Sequence, residues 1–183
     1  YHDVPFASKD NGFAGLDTEL MLNGEAQVAH LTAMGQWAQD GKFIYTGRRN
    51  EGGANFRAGD CALFTESSAG YAGISSEAEF DFDVRPLPYW KGVGNSPQNT
   101  IIGGASLWVM EGHEDAEYKG AGEFLSFLSS SDVQAAWHQN TGYLPITLVA
   151  AEATRASGFY DKNPGTDVAV IQMTAKKPTA NSK

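Results

Sequence analysis

An α/β architecture is predicted for this chain by three observations. Segments with apolar residues at helical spacing, each closed by a glycine or a polar cap, are interleaved with short apolar runs of strand character. Hydrophobic residues make up 42% of the 183 residues, enough to build a packed core and too many for a disordered chain. No internal repeat or low-complexity block interrupts the pattern.

The elements follow in order. In NGEAQVAHLTAMGQWAQDGK, Asn23 is the expected cap, Val28, Leu31, Met34, Trp37 and Ala38 the apolar stripe, and Gly41 the stop. KFIYTG reads as a short strand, and EGGANFRAGD as a brief helix feeding the strand CALF. FTESSAGYAGI leads from a strand end into a helix start. FDFDV alternates apolar and acidic residues, as a half-exposed strand does, and Pro86 and Pro88 end it. KGVGNSPQNT is a polar Gly/Pro/Asn loop and the expected linker. The strand SLWVM follows two adjacent glycines, Gly103 and Gly104. AEYKGAGEFLSFLSS and SDVQAAWHQNTG are consecutive helices, the second capped by Ser131 or Asp132 and closed by Gly142. Pro145 keeps GYLPIT extended, and TLVAAEATRASGF and DVAVIQMTAKK are further helices.

Charge and motif content narrow the function. A net charge of -9 and a pI near 4.8 make nucleic acid and anionic membrane surfaces poor partners. No apolar stretch approaches the roughly 20 residues of a membrane helix. Cys61, flanked by apolar residues, is expected to be a buried, inert thiol. No Walker loop, Gly-x-Gly-x-x-Gly or zinc-protease spacing is present, so no cofactor or metal is expected, and EGHED reads as a solvated turn entering a helix. TESSAGY lacks the Gly-x-Ser-x-Gly elbow of a serine hydrolase, and His2, His30, His113 and His138 are scattered. Catalytic partners need only meet in space, so a serine hydrolase stays as an alternative beside a structural or interaction module.

Binding features are better represented. A helix opening at Ser67 or Ser68 offers unpaired N–H groups and a hydroxyl, a setting for a phosphate or a sugar hydroxyl, or else a serine that only caps its own helix. Trp90, Trp108, Trp137 and Tyr143 could stack on a sugar face. Tyr143 is the better placed, on an extended segment.

RAGDCALFTESSAGY, DVRPLPYWKG, PQNTIIGGASLWVM, FLSFLSSSDVQAAWHQNTGYLPIT and GFYDKNPG occur in that order. Together they resemble the extracytoplasmic solute-binding proteins of sugar-type ABC transporters, in particular the branch that binds sn-glycerol 3-phosphate. The resemblance implies a periplasmic-binding-protein-like α/β fold of the maltose-binding type. Residues 1–102 and 146–183 would belong to the C-terminal lobe, with 103–145 supplying hinge strands and a segment of the N-terminal lobe. It implies a non-enzymatic carrier in the periplasm that binds sn-glycerol 3-phosphate or a glycerophosphodiester such as glycerophosphocholine, without cofactor, and serves membrane permease subunits. A neutral sugar or oligosaccharide is the alternative ligand. Ser67, Gly104 and Tyr143 fall at ligand-binding positions of that family, a hydroxyl, a bare backbone N–H and a phenol donor. Gly103 and Gly104 would bend the hinge and admit the ligand to the backbone. The family has further chain before Tyr1 and an arginine beyond Lys183, which implies that this chain is mostly a C-terminal-half fragment.

Overall fold

A computed structural model describes residues 1–181. They form two units: Tyr1–Gly52 with Leu87–Ile101 and Gln172–Lys183, and Gly53–Pro86 with Ile102–Ile171.

In the first unit, α1 (Glu25–Gln39) forms where the helical spacing predicts it. Its cap is Gly24 rather than Asn23. The end of the flexible Gln27 side chain lies over Gly24, 2.6 Å from where a Cβ would stand. Gly41 ends the helix at φ 69°, and the Lys42 and Phe43 N–H groups fold back to the Trp37 carbonyl at 2.7 and 3.1 Å. No residue of α1 is buried. Its Trp37 instead stacks on Trp90, ring centroids 6.0 Å apart, while the Trp90 indole N–H donates to His30 Nδ1 at 3.1 Å. The expected linker at 91–100 is laced down within this unit. Asn95 donates to Asp3, the Gln98 N–H to the Tyr1 carbonyl and Asn99 to the Lys176 carbonyl. Asp3 also accepts from Thr179 and Asn181, tying the same corner to the chain's last described residues.

The second unit holds α2 (Gly53–Arg57), a 3-10 turn (Ser68–Gly70), α3 (Tyr71–Glu77), α4 (Asp115–Leu128), α5 (Ser131–Thr141), α6 (Leu148–Ala156) and α7 (Phe159–Lys162). A last helix, α8 (Val168–Thr174), begins here. EGHED acts as a helix start: Glu114 is the N-cap of α4, and its N–H donates to Glu117 Oε2 at 2.9 Å in a capping box. The cap of α5 is Ser130, one residue earlier than expected, and Gly142 closes the helix as predicted. α5 packs on α6, and α6 on α7. Their shared interior is made of small and polar groups, Ala135, His138, Ala150, Ala151 and Thr154, with Ile74 from α3 also buried. Alanines let helix backbones approach closely. Thr154, fully buried, satisfies its hydroxyl on the Ala150 carbonyl at 3.0 Å.

The strands are where expectation and structure part. Among the described residues no β-strand forms, and a single bridge, Ala7 to Leu20, is the only ladder contact. KFIYTG, CALF, FDFDV and SLWVM run without regular secondary structure, with Ile44, Leu63, Leu107 and Trp108 exposed. The reason is physical: strand character in a sequence states a preference, but a strand exists only when a second backbone completes its ladder. The described chain is therefore helix-rich, and the sheet of the predicted α/β class is not among its elements. Cys61 is half-buried and free, off any strand.

Candidate ligand-binding turn

Two short turns of the second unit meet. The first follows Glu66. Ser67 caps the 3-10 turn, its Oγ accepting from the Ala69 N–H at 3.4 Å, while its own N–H donates to Glu66 Oε1 at 2.7 Å. The structure shows the capping role of this serine; the bond to Ala69 is long, and Ser67 remains exposed. The second turn ends α5. Gly142 takes the left-handed conformation, φ 77°, and its bare Cα faces the Ser68 carbonyl. A Cβ there would stand 2.7 Å from Ser68 O and 3.4 Å from Ala69 Cα. That contact brings the turn carrying Tyr143 against the turn carrying Ser67. Tyr143 is half exposed.

Gly104 stands apart from this pair in its surroundings. It lies on the exposed extended stretch 101–110, nothing approaches within 4 Å of its Cβ position, and its φ is not left-handed. Gly103 is the same, so the fold as described makes no demand for glycine at either position.

A buried histidine, one of the four scattered along the sequence, holds the second of these turns. His138, 2% exposed, brings Nδ1 to 2.7 Å from the Tyr143 carbonyl and Nε2 to 3.0 Å from the Tyr160 hydroxyl. Burial raises the Tyr160 hydroxyl above its ordinary 10.0, so it is a neutral phenol at neutral pH. Gly142 was legible as a helix stop, but its approach to Ser68 is a long-range contact with no local mark. A histidine four residues ahead of a helix-ending glycine is the only signal that could have drawn attention to His138. Tyr71, Ser75, His138, Gly142 and Phe159 line an adjacent cleft of about 290 Å³.

The same hydrogen bonds bear on chemistry. His138 engages Tyr143 and Tyr160 through its two nitrogens, and no serine. Among the described residues no group of three or more His, Cys, Asp or Glu is placed to hold a metal, and no helix is long and apolar enough to cross a membrane. Of the aromatic candidates, Trp90 belongs to the stack in the first unit, whereas Trp108 and Trp137 are exposed in the second.

Ser67 and Tyr143, exposed on two abutting turns with their amides already paired, are candidates for holding a small polar molecule. The bacterial extracellular solute-binding protein model matches residues 2–167, and the chain belongs to that family. It is similar to the sn-glycerol-3-phosphate-binding periplasmic proteins UgpB of Yersinia enterocolitica, at 48% identity over 183 residues, and of Rhizobium meliloti and Salmonella typhimurium, each at 46%. Each match covers 100% of this chain and 42% of the relative, so the chain spans less than half the length of these relatives.

Proposed function

We propose that this chain is part of the substrate-binding subunit of an ABC importer. It captures sn-glycerol 3-phosphate, or a glycerophosphodiester such as glycerophosphocholine, in the periplasm and delivers it to membrane permease subunits. The protein carries its ligand without changing it and is not an enzyme. Its whole fold is α/β of the maltose-binding type, with residues 1–102 and 146–183 in the C-terminal lobe and 103–145 crossing through hinge strands into the other. Ser67, Gly104 and Tyr143 contact the ligand.

The reading is supported by the likeness to the UgpB relatives, whose name gives sn-glycerol 3-phosphate as what they bind. The observation that carries the site is the seating of Gly142 on the Ser68 carbonyl. It brings together the turns that carry Ser67 and Tyr143, and on this reading both side chains donate to one phosphate. Hydrogen bonds to a charged group contribute about 1.5–3 kcal/mol each.

Calorimetry of the full-length protein with sn-glycerol 3-phosphate, glycerophosphocholine and maltose tests this. Ser67→Ala is expected to weaken glycerol 3-phosphate binding by roughly 10- to 100-fold, the loss of one charge-assisted bond. An unchanged affinity would refute the site assignment. Binding of maltose alone would favour the neutral-sugar reading, and ester turnover abolished by one serine change would favour a hydrolase.

A further inference from the structure

His138 sits behind the candidate site rather than in it. A carbonyl oxygen can only accept, so the 2.7 Å bond to Tyr143 O requires the proton on Nδ1. In the neutral ring Nε2 is then a lone pair, and the Tyr160 hydroxyl, 3.0 Å away, donates to it. The bonds therefore run in one direction, from Tyr160 O–H to the imidazole and from the imidazole N–H to the Tyr143 backbone. Phe159 and Tyr160 flank the ring, centroids 6.0 and 5.7 Å away, and restrict its rotation.

The segment that receives this bond is otherwise anchored to α5 at its ends, by the Gly142 N–H on the His138 carbonyl at 2.9 Å and the Ile146 N–H on Gln134 Oε1 at 3.2 Å. Residues 142–145 are non-helical, and no ladder holds them. The Tyr143 N–H reaches only Thr141 Oγ1, at 3.2 Å. On the far side, Gly142 rests against Ser68. Between those ends the imidazole is the side chain that holds the Tyr143 carbonyl, while Gly142 seats the turn against Ser68.

We infer that His138 is a positioning residue for ligand capture. Oriented by Tyr160, it fixes the Tyr143 backbone so that the phenol is presented beside Ser67. This inference rests on the reading of Ser67 and Tyr143 as ligand contacts. A buried histidine with only a packing role would affect stability and leave affinity alone.

Two substitutions separate these roles in the full-length protein. The amide of His138→Asn overlays Nδ1 and keeps a donor toward Tyr143. The amide of His138→Gln overlays Nε2 and keeps only the Tyr160 side. Both remove the ring, so both lower the melting temperature. In calorimetry with sn-glycerol 3-phosphate, His138→Asn is expected to stay within about threefold of the parent, and His138→Gln to weaken binding about tenfold or more, one hydrogen bond's worth. Equal affinities for the two variants would overturn the inference. Tyr143→Phe, measured alongside, distinguishes the failures. If it weakens binding while Asn and Gln behave alike, positioning alone falls. If it has no effect, the ligand reading falls and this inference with it. Imidazole ¹⁵N spectra of the parent add a readout independent of the variants' folding: the Nδ1–H tautomer supports the arrangement and the Nε2–H tautomer refutes it.

Discussion

Replacing Gly142 with alanine tests the junction of the two turns directly. The residue holds φ 77°, where a side chain costs about 1–2 kcal/mol through contact with its own backbone. The new Cβ would also stand 2.7 Å from Ser68 O and 3.4 Å from Ala69 Cα. Both are backbone atoms, so no flexible side chain can swing aside. Overpacking of this kind adds about 1–3 kcal/mol. The sum, about 2–5 kcal/mol, is partly relieved if the two turns separate by a few tenths of an ångström or more, and that separation moves Tyr143 away from Ser67. Gly142→Ala should therefore lower stability in urea melts and weaken sn-glycerol 3-phosphate binding together. Gly104→Ala is the control: with open space around its Cβ position and no left-handed φ, its stability cost should be within about 0.5 kcal/mol. A Gly142→Ala protein as stable as Gly104→Ala, with parental affinity, would refute the reasoning.

Three further outcomes are expected. Thr147 caps α6, its Oγ1 accepting from the Ala150 N–H at 3.2 Å, so Thr147→Ala should cost about 0.5–2 kcal/mol in denaturant melts. Hydrogen bonds from Thr179, then Asn95 and Asn181, hold the Asp3 carboxyl below its ordinary 3.8. Its contribution is thus present above pH 3.8 and lost as pH falls through the lowered value. Amide exchange at residues 176–181 should accelerate in that acid window, and Asp3→Asn should abolish the acid dependence. Tyr160, raised above 10.0 by burial, stabilises the fold below pH 10 and loses that contribution as pH rises through its folded value. Thermal melts should therefore fall above pH 10 together with the appearance of phenolate absorbance, and Tyr160→Phe should flatten that fall.

The helices were legible because their signals are local. Gly41 and Gly142 stop α1 and α5 where the sequence places them, and the apolar spacing set the span of α1. Caps shifted by one residue, at Gly24 and Ser130, because several small or polar residues adjoin and side-chain packing chooses among them. Strand character in FDFDV and SLWVM was equally visible, but the partner that makes a strand is not written in the strand's own residues. The site divides the same way. Ser67 was legible from its place at a helix start and Tyr143 from the extended, proline-bearing segment that carries it. His138 and the second role of Gly142 were not, since both arise from contacts across folded turns. The looped stretch 91–100 has a linker's composition, yet Asp3, Tyr1 and Lys176 hold it in place.

The Glu66 carboxylate accepts the Ser67 N–H in this structure. One amide hydrogen cannot serve two anions well, so any phosphate that takes it must first evict the side chain already there. On the proposed reading Glu66 stands where the ligand's charge would, and the Ser67 N–H is satisfied without it. If the proposed ligand binds at this turn, one oxyanion replaces another there, and the position of Glu66 would report which of the two is held.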